Sequence, residues 1–354
     1  MLTQLTAQLG AARSLEADQV RLAVEQLVDE SVSPATKADF LSALARKGET
    51  IEEISAFAQE LRARSVQPPL DAETRAREIL DVCGTGGDQL GTFNISTSVA
   101  IVCAAAGVTV AKHGNRAITS QTGSADVIEA LGIRADLPPA EAAQSLREQN
   151  FTFFFAPNYH PAFKHIAPAR KLCAERKQRT IFNFLGPLLN PARPTAQLLG
   201  VPRPELCEPL ARVLQSLGLR RAMVVCGEVP GANFQAAGGA ANLDEFSTLG
   251  HTKVAEFYQE RGFTVSMFDP GQFPLQPATL SDLRGGDKVA NAEIIRRIVR
   301  GEDRGPKREA VLLNASAALL VAGRVRSITE GWELAAQTID GGKAEAKLRE
   351  LTTR

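Results

Sequence analysis

The chain has 354 residues, enough for roughly two domains at ~150 residues each, with 44% hydrophobic residues and 40 basic against 40 acidic side chains. That composition excludes disordered, fibrous and disulfide-stapled mini-protein classes, and a formal net charge of +0 argues against an electrostatic nucleic-acid or anionic-membrane binder. No apolar run reaches the ~18 residues that cross a bilayer, and the start MLTQLTAQLGAARS lacks the basic-then-apolar order of a secretory signal.

From Met1 to about Ser65 the residues are rich in Ala, Leu, Glu and Arg at helical spacing. Ser33-Pro34 reads as an N-cap followed by a first-turn proline, Gly48 as a stop, and Thr50-Ile51-Glu52-Glu53 as a capping box, so a small helical unit is predicted. Paired prolines in Val66–Leu70 predict a hinge. Ile79–Cys83 is then an apolar strand, followed by a glycine-rich turn, a helix from Thr97 to Ala106 closed by Gly107, and a strand Val108–Ala111, which together make a βαβ unit. Cys83 is one of five cysteines with Cys103, Cys173, Cys207 and Cys226. They are scattered, never in a C-x-x-C pair, and are expected as free thiols in the cytoplasm.

Ser124 is predicted to cap a helix to Leu131 with Gly132 as its stop. Further strands are expected at Phe151–Phe155, Arg179–Phe182, Gln197–Val201 and Ala222–Val225, alternating with helices such as Pro204–Leu217. A mixed α/β sheet follows, with the phenylalanines in its core. Gly227–Asn242, nearly uncharged and rich in Gly and Ala, is predicted to be a long flexible loop. Helices return from Asn291 and end near Glu350, and no internal repeat is visible.

Three constellations carry chemistry. In Gly84-Thr85-Gly86-Gly87-Asp88, running on to Thr92-Phe93-Asn94-Ile95-Ser96-Thr97, glycines after a strand let backbone N–H groups face a ligand, and the following helix N-terminus favours an anion. A tight turn with an ordinary cap is the plainer reading. Neither the dinucleotide spacing nor the Walker spacing fits, because Gln89 replaces the last glycine of the first and Thr92-Phe93 follows Gly91 in the second. Lys112-His113-Gly114-Asn115-Arg116 lies at the end of the next strand, where open α/β sheets bind ligands, and leads through hydroxyl residues to Ser124. A solvated basic loop is its alternative. Asp244-Glu245 supplies hard oxygens suited to Mg²⁺ bound jointly with phosphates, or is a surface pair of acids. The histidines His113, His160, His165 and His251 show no ligand spacing for a histidine-built metal site.

GTGGD, N-I-S-T, KHGNR with GSAD, Ala156–Ala162 (APNYHPA), Phe182–Pro191 (FNFLGPLLNP) and Leu243-Asp244-Glu245 stand in the order seen in anthranilate phosphoribosyltransferases. The chain resembles that family over nearly its whole length, and six motifs in order are specific. The resemblance implies a small N-terminal helical domain, residues 1–70 with a helical contribution from about 165–190, and a larger α/β domain, 71–354, with a central mixed, mainly parallel sheet flanked by helices. It implies a homodimer through the helical part, no nucleic-acid or membrane partner, and transfer of phosphoribose from phosphoribosyl pyrophosphate to anthranilate in tryptophan biosynthesis.

By the same resemblance, phosphoribosyl pyrophosphate would meet Gly84, Gly87, Asp88, Thr92, Asn94, Ile95, Ser96 and Thr97, then Lys112, His113, Gly114, Asn115, Arg116, Ala117, Ile118, Thr119, Ser120 and Ser124. Anthranilate would meet Gly84, Asn115 and Arg170, whose guanidinium fork suits a carboxylate. Two Mg²⁺ ions would be held by Ser96, Asp244 and Glu245. No nucleophile or obligatory base is implied. The sequence departs from the family pattern in a longer connection between Arg170 and Arg179 and in a longer Gly227–Asn242 stretch, differences expected to touch affinity more than reaction type. A non-catalytic nucleic-acid-binding relative would lose the acidic pair or Arg170 and gain a basic face, and a relative with another acceptor would part from this pattern at Asn115 and Arg170.

Overall fold

The computed structural model describes residues 1–117, 121–234, 239–258 and 261–353. Helices α1 (Leu2–Gly10), α2 (Ala17–Val28), α3 (Pro34–Lys47) and α4 (Ile51–Ala63) come first. Local chemistry sets their ends. Ser33 Oγ accepts from Thr36 N at 3.2 Å ahead of Pro34, Gly48 ends α3 at φ +85°, and Thr50 and Glu53 close a reciprocal capping box. After Val66–Leu70 the chain runs through α5 (Ala72–Ala76), β1 (Ile79–Gly84), α6 (Ile95–Ala105), β2 (Thr109–Gly114), α7 (Ser124–Leu131), α8 (Pro139–Gln149) and β3 (Phe151–Phe155). Short helices α9 (Ala156–Tyr159), α10 (Ala167–Glu175) and α11 (Phe182–Leu185) precede β4 (Ala196–Gly200), α12 (Cys207–Ser216) and the long β5 (Arg221–Phe234). Then follow β6 (Gly239–Leu243), β7 (Thr252–Tyr258), β8 (Arg261–Phe268), α13 (Lys288–Val299), α14 (Pro306–Val321), α15 (Ile328–Asp340) and α16 (Lys343–Thr352).

The strands form one mixed, mainly parallel sheet in the order β3-β2-β1-β4-β5-β7-β8, with β6 paired to β5 off that path. Contacts from β3 to β5 are parallel, and those of β5 with β6 and β7, and of β7 with β8, are antiparallel. Alternation along the strands divides the core. Val82, Leu198 and Met223 pack under α6 and α14, while Cys83, Leu199 and Val224 face α12. The second core continues into the helical unit, where Leu41, Leu44, Phe57 and Leu61 join Ile166, Cys173, Leu185 and Leu188. All five cysteines are free and buried.

Several expectations need correction. Arg179–Phe182 is not a strand: Asn183 Oδ1 accepts from Thr180 N at 2.8 Å, and Ile181, Leu185 and Leu188 bury one helical face at the onset of α11. Gly227–Asn242 is no loop but largely an antiparallel hairpin of β5 and β6, with a register shift between Glu228 and Asn233; residues 235–238 lie outside the described residues. Small side chains carry little strand signal, and the backbone pairing prevails. The helix expected from Thr97 starts at Ile95, and α7 is capped by Gly123 with Ser124 at its first position. Strands β7 and β8 have no counterpart among the sequence expectations.

Candidate active site

Parallel strands β1, β2, β4 and β5 deliver their carboxyl ends to one mouth, and the residues singled out in the sequence gather there. At the end of β1, Gly84 leaves room that a side chain would fill, since a Cβ there would stand 2.6 Å from Asp244 Oδ2. Gly86, at φ +69°, donates its N–H to that same oxygen at 2.7 Å, and Thr85 Oγ1 adds a longer bond at 3.4 Å. Gly200 at the end of β4 gives way in the same manner, because a Cβ on it would overlap the Asp244 backbone carbonyl. The acidic pair, delivered by β6, is thus docked on the glycine loop. Glu245 receives the Ser96 backbone N–H and faces Lys112, whose Nζ donates to Val82 O at 2.7 Å and to Ser96 Oγ at 3.2 Å.

The electrostatics of this cluster are lopsided. Burial pushes the Glu245 carboxyl up to about 8, with Lys112 opposing and Asp88 adding to the rise. Asp244 is pushed well above the usual carboxylate range by burial, then by the charges of Asp88 and Glu245, and burial raises Asp88 as well. Of the three acids only Glu245 faces Lys112, which also feels Asp81 and Cys83 and which burial holds below its ordinary value. A divalent cation shared with ligand oxygens suits such a donor set, because it lets the acids ionise together. Among the described residues no cluster of three or more His, Cys, Asp or Glu forms a cage alone, so oxygens from a ligand would have to complete the shell.

The second loop folds back on α7. A Cβ on Gly114 would collide with Ser124 Oγ, and one on Gly123 with the Arg116–Ala117 backbone. Asn115 O accepts from Ala125 N at 3.2 Å and from Ser124 Oγ at 3.4 Å, while its Oδ1 accepts from Arg116 N at 2.8 Å. Asp126 Oδ2 takes the Ala117 and Gly123 N–H groups. The Arg116 side chain pairs with Glu129 at 2.6 Å and Asp126 at 3.2 Å and lies over the Phe155 ring. Ile118, Thr119 and Ser120 lie outside the described residues.

Arg170 stands on α10 with its guanidinium 5.4 Å from the centre of the Phe182 ring and no carboxylate partner among the described residues, and burial lowers its pKa. A row of rings leads from it back to β2: Phe182 against Phe163, Phe163 against His160, and His160 against His113 at 5.3 Å. Burial pushes His113 down to about 3 and His160 down to about 4, so both are neutral, and each has a buried Nε2 without a partner among the described residues. The row joins the desolvated arginine of α10 to the phosphate-type loops.

Sequence reasoning missed the residues that hold these loops from behind. Asn190 Nδ2 bridges Asp81 at 2.9 Å and Ala111 O at 2.7 Å, tying β1 to β2. Asn314, fully buried on α14, accepts from Phe246 N and donates to Phe246 O, pinning the chain just past the acidic pair. Asn291 on α13 reaches the start of α6 by donating Nδ2 to Asn94 Oδ1 at 2.9 Å. Asn190 stands inside the Phe182–Pro191 motif with no role read for it, and the only signal for Asn291 and Asn314 was a lone asparagine in a helix.

Residues 76–345 match the glycosyl transferase family a/b domain, and residues 3–65 match the helical bundle domain of the same family. The anthranilate phosphoribosyltransferase of Petrotoga mobilis is 44% identical over 338 residues, covering 96% of this chain and 92% of the relative. The crystal structure of the Thermus thermophilus anthranilate phosphoribosyltransferase superposes with a TM-score of 0.86 at 37% identity, covering 98% of both chains. The Saccharomyces cerevisiae anthranilate phosphoribosyltransferase in complex with PRPP and Mg gives 0.84 at 26% identity, covering 99% of this chain and 96% of that one.

Proposed function

The chain belongs to the anthranilate phosphoribosyltransferase family, and on that premise we propose that it moves the phosphoribosyl group of phosphoribosyl pyrophosphate onto the amine of anthranilate, releasing pyrophosphate, in tryptophan biosynthesis. The observation that carries this reading is the docking of Asp244 on the Gly86 N–H beside an α6 N-terminus that has no side-chain cap and whose Thr97 N–H has no partner among the described residues. The pyrophosphate and ribose phosphate lie along Gly84, Gly87, Asp88, Thr92, Asn94–Thr97 and the segment from Lys112 to Ser120 with Ser124. Ser96, Asp244 and Glu245 hold two Mg²⁺ ions. The chemistry supplied by bound Mg²⁺ is neutralisation of charge on the pyrophosphate leaving group.

Anthranilate's amine is neutral and only weakly nucleophilic, so the residues act on position and on the electrophile. Asn115 and Arg170 orient the acceptor, the latter through its carboxylate, with the ring row excluding water. Loop amides present fixed dipoles to the departing group. The neutral histidines add no charge to the acceptor side. A helical domain of residues 1–70, with 165–190 added, packs on the 71–354 domain and pairs two copies in a cytoplasmic homodimer. The test mixes protein, anthranilate, phosphoribosyl pyrophosphate and Mg²⁺ and follows anthranilate fluorescence. Its loss supports the reading; persistence with folded, metal-loaded protein rejects it.

A further inference from the structure

We propose that Asn291 is a positioning residue that fixes the amide of Asn94 so that its NH₂ group faces the pyrophosphate, an inference that rests on the phosphate-site reading above. Asn94 occupies the N-cap of α6, where an asparagine oxygen ordinarily accepts a first-turn N–H. Here the side chain makes no capping bond. Its Oδ1 accepts instead from Asn291 Nδ2 at 2.9 Å, across 197 residues of sequence. Asn291 in turn cannot flip without loss: it is 2% exposed on the first turn of α13, and its Oδ1 accepts from Gly286 N at 2.8 Å. The Gly286 N–H thus sets the Asn291 amide, and the Asn291 amide sets that of Asn94.

Two consequences follow at the helix start. The oxygen that would have capped α6 is withdrawn; with Ile95 N donating to Phe93 O and the Ser96 N–H going to Glu245, the Thr97 N–H is left without a partner among the described residues, and the Asn94 NH₂ remains as a donor with no protein acceptor among them. The backing segment is held close. Phe93 N donates to Leu283 O at 3.1 Å, Gly285 N donates to Gly91 O at 2.9 Å, and a Cβ on Gly285 would stand 2.8 Å from Phe93 Cα. Asn291 therefore works through a rigid strap rather than through a mobile loop.

Asn291→Asp tests this with little change of shape. It keeps an acceptor for Gly286 N but offers Asn94 an acceptor too, so Asn94 turns its NH₂ away and presents Oδ1 to the phosphates. The Michaelis constant for phosphoribosyl pyrophosphate should rise roughly tenfold or more, with kcat and the constant for anthranilate changing less. Calorimetric affinity for Mg²⁺-pyrophosphate should weaken by a similar factor, which reads the donor without any acceptor substrate and so separates this inference from the choice of anthranilate. Asn291→Ala, which leaves Asn94 free to rotate, should do less harm to affinity, and in an Asn94→Ala background Asn291→Asp should have no further effect. The inference is overturned if folded Asn291→Asp binds both ligands as the parent does, or if both variants lose affinity equally and only in step with Tm.

Discussion

Asp244 comes as close as it does to the end of β1 because Gly84 has no side chain, and Gly84→Ala would force the carboxylate off the Gly86 N–H. We expect kcat/KM to fall roughly tenfold or more while the far-ultraviolet spectrum stays unchanged. Asp244→Ala acts at the other partner. The acid is pushed up by burial and by neighbouring charges, so its ionised form costs stability and its removal should shift unfolding by no more than about 1 kcal/mol, the losses being the Gly86 N–H bond and the longer Thr85 Oγ1 bond. Its magnesium dependence should change far more: a Mg²⁺ titration of turnover is expected to move to higher concentration and lower plateau. Identical titrations for parent and variant would remove Asp244 from the metal role. These glycines and acids are visible as motifs, yet nothing in the sequence shows that Gly84 and Asp244 meet.

The elements divide by the range of their causes. Helices α3 and α4 are legible in the sequence because Ser33, Gly48, Thr50 and Glu53 act within one turn of themselves. The β5 and β6 hairpin reads as a loop, since Gly and Ala in its strands have no alternating apolar face and the strand state is imposed by the ladder they complete. At the junction of this hairpin with β4, Gly200 lets the Asp244 carbonyl pass over the strand end. Gly200→Ala should therefore cost about 1–3 kcal/mol in chemical denaturation and lower activity together, because strand and acidic turn must separate. A variant with parental stability and turnover would show that the close approach has no role.

Across the whole molecule, two buried neutral histidines and several buried acids make stability depend on pH in opposite senses. His113 and His160 are held at about 3 and about 4, below the ordinary histidine value, so the unfolded chain binds more protons between those values and about 6.5. Their contribution is full above pH 6.5 and is lost as pH falls toward 4 and then 3. Asp81, raised to about 6 by burial, contributes the other way, its stabilisation being lost as pH rises from the ordinary carboxylate range through 6. The difference between parent and His160→Gln isolates the histidine: the variant should take up about one proton fewer on unfolding between pH 6.5 and 4, read from denaturation midpoints across that range. Parallel curves would show His160 to be protonated in the fold.

Length, balanced charge, turn chemistry and ordered motifs are enough to read a helical unit followed by an α/β domain and to point to a phosphate ligand, since each rests on interactions within a few residues. The docking of Asp244 on Gly86, the turning of Arg116 toward Glu129, the ring row ending at Arg170 and the bond from Asn291 to Asn94 emerge only once the sheet is assembled. Their partners are far apart in the chain, and hydrogen bonds and burial act through space, so residues with no local peculiarity become the ones that orient the site.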